Sequence, residues 1–269
     1  MSNLKDYTMN ELMVAATSRE LRDGELGFIG VGTAGRAYTL AVGIPMAAAR
    51  LAQCTHAPDF TIFWNNLLSP DLSQIPPKLT QNYLTRWPAA YQPVCSADKN
   101  GMLARGEFDV SFDSAPQIDK YGNLNITAIG DYEKPKVRLV GCLAQTDHFS
   151  FIKRPIIITD LKKRTFVEKV DFITSVGYLE GGDSRIKAGL KPYGPWKVIT
   201  EKCIFNFHET KKMMQIESLH PGVTLEEVLD NMSFKPLIPE EIPETRMPAE
   251  EEVKLIREVI DPNRILLRA

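Results

Sequence analysis

The sequence predicts an α/β fold, with a parallel or mixed sheet flanked by helices, and three observations carry the prediction. Residues 25–32 (ELGFIGVG) run as an apolar strand into a glycine-rich turn, and residues 34–54 are alanine-rich and largely apolar, a buried helix. Strand, tight turn and helix in that order form the opening unit of a parallel sheet. The run RPIIITD at 154–160 is apolar without alternation, as a strand covered on both faces must be. Strand-like and helical segments alternate early in the chain, and short β-rich runs dominate later. A single domain over 1–269 is the simplest division of a chain of this length.

The remaining elements follow in order. Residues 9–22 place Leu12, Met13, Ala16 and Leu21 at near-helical spacing, and Asp23-Gly24 breaks that helix. After the turn at APD (57–59), TIFW (61–64) is a second short buried strand. Pro70, Pro76, Pro77, Pro88 and Pro93 exclude one long helix in 65–105, which reads as irregular. FDVSF (108–112) alternates as a strand, and 123–129, 169–175, 196–200 and 203–207 read as further strands. In 224–232 (TLEEVLDNM) Thr224 can cap a short helix, with Glu227 behind it. The acidic, proline-marked run 236–250 reads as a tether, so that 236–269 is a C-terminal tether and helix. That last helix, 248–260, starts at Pro248, carries acids in its first turn and stops before Asp261-Pro262.

Composition narrows the function classes. A formal net charge of −2 gives no electrostatic case for nucleic acid or an anionic membrane as partner. No apolar run reaches the ~18 residues that span a bilayer. The polar, mixed-charge start MSNLKDYTMNELM does not read as a secretory signal, so a cytoplasmic location is expected. Cys54, Cys95, Cys142 and Cys203 form no CxxC pair, and His56, His148, His208 and His220 are equally scattered. This argues against a structural zinc site or a disulfide framework. Cys54 and His56 lie two apart with no further Cys or His within thirty residues, so no metal is expected there either. Gly30, Gly32 and Gly35 satisfy G-x-G-x-x-G in letters, a weak match whose plainer account is a close strand-to-helix turn.

The most specific stretch is 117–138, QIDKYGNLNITAIGDYEKPKVR. On its residues alone it is a tight connection rich in turn formers, and a hairpin loop without chemistry accounts for it. Yet QID-x-YGN-x-N followed by IGDY-x-x-PK-x-R resembles the signature of class I CoA-transferase B subunits of the glutaconate CoA-transferase kind. VEKVDFITSVGY (167–178), HPGVTLEEV (220–228) and LIREVIDP (255–262) continue the resemblance, and GELGFIGVGTAGRA (24–37) with APD (57–59) matches in kind. It covers essentially the whole chain in order. The resemblance implies an open α/β fold of the class I CoA-transferase type and a separate A (α) subunit in a heterodimer or heterotetramer. It also implies a coenzyme A thioester as substrate, bound where the subunits meet, with no permanently bound cofactor. Among substrate- or CoA-facing residues it places Gly30, Gly32, Trp64, Asn66, Gln117, Gly141 and Cys142.

The chain departs from that family at two places. In transferases of this kind a glutamate beyond the APD-type turn attacks the thioester, passing through a mixed anhydride to a glutamyl-CoA thioester, which only a carboxylate can do. The matching position here is Asn65, followed by Asn66, and 60–70 contain no carboxylate; Asp71 is reached only by slipping the alignment. An amide is a poor nucleophile but can hold a thioester carbonyl or a water. The second departure is a glycine-rich turn lining the site in the family. Here it reads VGCLAQTDHF (140–149), where only Gly141 remains and Cys142, Leu143 and Ala144 would crowd a substrate oxyanion. Asp147 and His148 stand nearby, and His148 is either a general acid–base or a surface-loop histidine. Trp64 is either core packing or the wall of an apolar acyl pocket.

Three functions are therefore weighed. The first is an acyl-CoA enzyme that has replaced transfer by other chemistry: hydrolysis of a carbon–carbon bond in a ring-bearing CoA thioester, which HPGVT (220–224) and 167–178 favour, or decarboxylation of a glutaconyl-type CoA. The second is ordinary CoA transfer between carboxylic acids, of the dicarboxylate or glutaconate kind. The third is a non-catalytic partner that shapes the A subunit's site.

Overall fold

A computed structural model describes residues 7–32, 34–79, 81–92 and 96–267, so Pro93 and Cys95 lie outside the described residues. The fold is mixed α/β, and the chain forms two compact units, Met1–Gly101 with Arg246–Ala269, and Met102–Thr245. The division falls within a helix, Ser96–Arg105, so no linker composition marks it in the sequence.

The first unit opens with α1 (Met9–Ser18). Thr8 caps it through a box in which Thr8 Oγ1 accepts from the Glu11 amide at 3.3 Å and Glu11 Oε2 accepts from the Thr8 amide at 2.6 Å. Glu11 also receives Arg257, Nε to Oε1 at 2.7 Å and Nη2 to Oε2 at 2.9 Å. Burial pushes the Glu11 carboxyl up, but the Arg257 and Thr8 hydrogen bonds outweigh it and hold the group below its ordinary range. Arg257 lies in a π turn (Ile256–Ile260) that extends the C-terminal helix Glu250–Leu255. Arg19 anchors the chain leading into that helix by donating to the carbonyls of Arg246 and Met247 and to Glu252.

β1 (Leu26–Ile29) runs parallel to β2 (Thr61–Trp64), in register from Leu26↔Thr61 to Ile29↔Trp64. Between them the helix expected over 34–54 is α2 (Gly35–Tyr38), a π turn (Thr39–Gly43) and α3 (Ile44–Thr55). A Cβ on Gly43 would stand 2.0 Å from the Leu266 carbonyl oxygen, so the returning C-terminal segment crosses where this helix has no side chain. The 65–105 stretch is more ordered than its composition suggests. β3 (Leu67–Pro70) pairs antiparallel with β2, and after α4 (Gln81–Leu84), β4 (Ala89–Tyr91) pairs antiparallel with β3. Pro70 and Pro88 forbid a long helix but sit at a strand end and a turn, where their missing N–H costs nothing.

In the second unit, after α5 (Ser96–Arg105), β5 (Val110–Asp113) leads into two small antiparallel ribbons. These are β6 (Gln117–Ile118) with β7 (Leu124–Asn125), and β8 (Ala128–Ile129) with β9 (Val137–Arg138). The expected strand at 123–129 is thus broken, because the Asn125 side chain accepts from the Thr127 and Ala128 amides and turns the backbone. α6 (Gln145–Phe151) precedes β10 (Arg154–Ile158), which lies parallel to β5 and to β11 (Lys197–Ile199). β12 (Cys203–Phe207) and β13 (Met214–Leu219) extend this sheet antiparallel. The 169–175 stretch forms no strand; it meets the ribbons through the bridge Leu124↔Ser175 and through side-chain bonds of Asp171 and Thr174. β13 is a strand the sequence reading passed over, although MQIESL carries the alternation of a half-buried strand, with Met214, Ile216 and Ser218 on the covered face. Short α7 (Ser184–Lys187) and α8 (Leu225–Asp230) complete the unit, and Thr224 Oγ1 accepts from the Glu227 amide as expected. Phe149, Ile157, Phe166, Val198, Phe205 and Ile216 form its dry core.

Beside that core His220 is buried neutral, with Nδ1 against Thr245 Oγ1 at 2.9 Å and Nε2 against the Thr200 carbonyl at 2.7 Å. Burial lowers its pKa to about 4, the Thr200 bond opposing. Unfolded, the ring titrates near 6.5, so below that pH the unfolded chain binds a proton that the folded chain refuses. Stability should therefore fall between pH 6.5 and 4, by up to about 1.4 kcal/mol per unit. Urea midpoints of wild type and His220→Gln across that range, with a shallower slope for the variant, check this.

Candidate active site

The parallel register of β1 and β2 brings their C-terminal ends side by side, with Gly30-Val31-Gly32 after one and Asn65-Asn66 after the other. Open α/β sheets place ligands at such strand ends. Trp64, the last residue of β2, donates its indole N–H to the Gly30 carbonyl at 3.1 Å and locks the two ends together. Its ring meets Trp87 edge-on at 6.1 Å, and the Trp87 indole donates to the Asp71 carbonyl. Trp64 is buried, so the core-packing reading describes its position. A Cβ on Gly32 would stand 2.7 Å from Tyr38 Cα, which explains this glycine as a close strand-to-helix contact.

Asn65 and Asn66 form the two-residue turn between β2 and β3, closed by the pair Trp64↔Leu67. Asn65 has φ +58°, a left-handed conformation that asparagine adopts more readily than most residues. It is half-buried and Asn66 is exposed. The Asp71 carboxylate is engaged within its own turn. Its oxygens accept from Ser73 N and Oγ and from Gln74 Nε2, capping the turn Leu72–Gln74. The Ser73 hydroxyl leads the bonds that hold its pKa below the ordinary range.

A second group of expected residues lies in the other unit. Val140 and Leu143, flanking Gly141-Cys142, are 78% and 82% exposed. Gly141 is left-handed at φ +82°, and its N–H donates to the Ile126 carbonyl at 2.9 Å. That amide is spent on the fold, so it is not a free oxyanion donor. The exposed Cys142 thiol accepts from the Thr146 amide at 3.3 Å and lies 3.2 Å from Thr146 Oγ1.

Asp147 and His148 sit on α6. His148 is not a surface-loop histidine: it is 2% exposed, with Nδ1 against Asp113 Oδ1 at 2.9 Å. Ser111 Oγ donates to the other Asp113 oxygen at 2.8 Å. Asp113 and Ser111 are not evident in the sequence because β5 and α6 meet only through the fold, although a carboxylate ending an apolar strand was a visible signal. Asp147 is half-buried on the same helix. Gln117 is buried with its amide committed inside the protein. Its Oε1 accepts from Asn125 Nδ2 and the Asp171 amide, and its Nε2 donates to Asp171 Oδ2. No three His, Cys, Asp or Glu side chains converge as metal ligands among the described residues.

Comparison with known proteins gives a consistent answer. The family model described as coenzyme A transferase matches residues 10–231. The B subunit of the 3-oxoadipate CoA-transferase of Pseudomonas knackmussii is 35% identical over 252 residues, covering 93% of this chain and 92% of that protein. The cholesterol ring-cleaving hydrolase IpdB subunit of Rhodococcus jostii is 27% identical over 227 residues, 81% of this chain and 82% of that one. The crystal structure of glutaconate coenzyme A-transferase from Acidaminococcus fermentans superposes with a TM-score of 0.85 at 27% identity, covering 99% of this chain and 100% of that chain.

The Asp113–His148 pair makes a direct prediction. Asp113→Ala removes the carboxylate bonded to the buried His148 Nδ1 and should destabilise the chain by about 1–3 kcal/mol, whereas Asp113→Ala with His148→Phe should recover part of the loss. Urea unfolding of the three proteins tests it.

Proposed function

Because the chain belongs to the coenzyme A transferase family, we propose that it is the B subunit of a heteromeric enzyme that, with an A subunit, hydrolyses a carbon–carbon bond in a ring-bearing CoA thioester. One observation carries this reading. Asn65, at the tip of the β2–β3 turn, presents a neutral amide where transfer chemistry needs a carboxylate, and Asp71 is committed to a cap. Neither a mixed anhydride nor a glutamyl-CoA thioester can form on an amide without first breaking it down.

The residues suit a reaction that never links substrate to this chain. In such a cleavage a base takes a proton from water, and the hydroxide adds to a ring carbonyl placed β to the thioester. The adjacent carbon–carbon bond then breaks, its electrons pass into the thioester as an enolate, and a proton is returned to carbon. Asn65 and Asn66 side-chain amides can donate to the thioester oxygen as that enolate charge develops. Asp147 is the half-buried base candidate, and the next residue of α6, His148, is buried against Asp113 and supports it. Gly30, Gly32 and Trp64 fix the strand ends that carry Asn65, and Gly141-Cys142 offers a turn whose exposed atoms face solvent. Gln117 belongs to the scaffold, since its amide is engaged on both sides.

The kinship to a CoA-transferase at 35% identity favours a second reading, CoA transfer with the attacking carboxylate supplied by the A subunit. Trapping separates the two. Hydroxylamine or borohydride added to the A–B complex turning over acyl-CoA should leave no glutamyl adduct on this chain, by peptide mass spectrometry. An adduct here overturns the proposal, and one on the A subunit selects the second reading. Asn65→Ala should cut kcat by roughly 100-fold, the cost of one lost oxyanion donor.

A further inference from the structure

Arg185, a buried cation of the second unit, has no role in the chemistry above. Arg185, on α7, is 1% exposed, yet every acceptor named for its guanidinium is a backbone carbonyl. Nε donates to the Lys191 carbonyl at 2.8 Å, and Nη1 to those of Val176 and Gly177 at 2.5 and 2.7 Å. Nη2 donates to the carbonyl of Phe149 in the last turn of α6. Burying a guanidinium is costly, and the desolvation lowers its pKa while Tyr178 and Tyr193 oppose the shift. A hydrophobic side chain would fill the same space without that cost, so the bonds themselves require explanation.

The acceptors form a closed figure. The last-turn carbonyls of a helix lack intrahelical donors, and a cation there also suits the helix dipole. Arg185 supplies both to α6 and carries the load to Val176-Gly177. The two residues before those hold the other end of the same helix: Thr146 Oγ1 donates to the Thr174 carbonyl at 2.7 Å, and Ser175 Oγ donates to Gln145 Oε1 at 3.0 Å. One strap, 174–177, thus grips α6 at both ends, and Arg185 is what reaches the far one. The strap is itself fixed: Leu124 and Ser175 exchange backbone bonds, and Asn123 Oδ1 accepts from the Gly177 amide at 2.9 Å.

We propose that Arg185 is a positioning residue: by clamping the C-terminal turn of α6 to the 174–177 strap, it fixes where Asp147 and the Gly141-Cys142 turn stand. The proposal rests on the hydrolase reading for what those residues do, but the clamp itself does not. A lysine keeps the charge while losing the planar fork that spans four carbonyls. Thr146→Val opens the opposite end of the same clamp at an exposed residue.

The experiment uses the assembled A–B complex with Arg185→Lys and, separately, Thr146→Val. Peptide-resolved hydrogen exchange of 145–152 should accelerate at least fivefold in each, while β10 and β12 keep wild-type rates. Turnover of acyl-CoA should lose at least tenfold in kcat for Arg185→Lys, with KM within twofold. Unchanged exchange in 145–152, acceleration spread equally through β10 and β12, or a loosened α6 with wild-type kcat each overturns the proposal. An Arg185→Lys chain that does not fold, joined to a Thr146→Val complex of wild-type exchange, also overturns it. A wild-type complex that turns over no acyl-CoA while the variants still loosen α6 locally refutes the functional reading and keeps the clamp.

Discussion

The turn at Asp119–Asn123 is the constraint on which the second unit depends. The Asp119 carboxylate accepts from the Tyr121 amide, the Asn123 amide and the Asn123 side chain, closing a short loop on itself. Asn123 then turns outward and takes the amides of Gly177 and Leu179 on Oδ1 while donating Nδ2 to the Leu179 carbonyl. The two backbones come so close that a Cβ on Gly177 would stand 2.4 Å from Gly122. Burial pushes the Asp119 carboxyl above its ordinary range, against the bonds that favour its charged form. The group is kept because its surroundings offer donors only, the amides of Tyr121, Asn123 and Val170 and the Asn123 side chain, which suits an acceptor with two oxygens. From that turn the order runs outward to the 174–177 strap, then to α6, then to the residues α6 presents.

The first unit solves a different problem with a cheaper device. Parallel strands need only neighbouring ends to make a cleft, and β1 and β2 supply them by register alone. What remains is to stop the ends from splaying, and the Trp64 indole bonded to the Gly30 carbonyl does so across the cleft floor. The tight β2–β3 turn then forces its first residue into the left-handed region. Asparagine relieves that backbone cost better than most side chains, so Asn65 answers a conformational demand as well as a chemical one. A carboxylate at the same corner would meet the same backbone requirement, so the turn itself accepts either side chain.

This separation explains what was legible beforehand. Elements fixed by local composition could be read directly: β2 at TIFW, β12 at CIFNF, the buried β10, and α8 with its Thr224 cap. Those decided by distant partners could not. Residues 169–175 carry strand-forming letters, yet Asp171 is drawn to Gln117 and Gly130 and the segment becomes part of the strap's approach instead. α6 was hidden because its start, Ala144, has no capping side chain and its end is completed by Arg185, thirty-four residues beyond the end of the helix at Phe151. At the site the pattern repeats. Asn65 and Gly141 stood out by their position in a motif, whereas Asp113 acquires meaning only when folding sets it against His148.

The two departures from the transferase pattern also bear on each other. A glycine-rich turn serves catalysis by leaving backbone N–H groups free near a substrate oxygen. Here the Gly141 N–H is donated to Ile126, and the residues that follow carry side chains that stand out into solvent. On the proposed reading, with this N–H committed, charge on the thioester is met by side-chain amides or by the partner protein. Asn65 and Asn66 are two such amides on one turn, and a pair of neutral donors is what an enolate requires and an anhydride does not. On the hydrolase reading proposed above, each unit accounts for its own departure: the first offers side-chain amides at the β2–β3 turn, and the second commits the Gly141 N–H to its own fold.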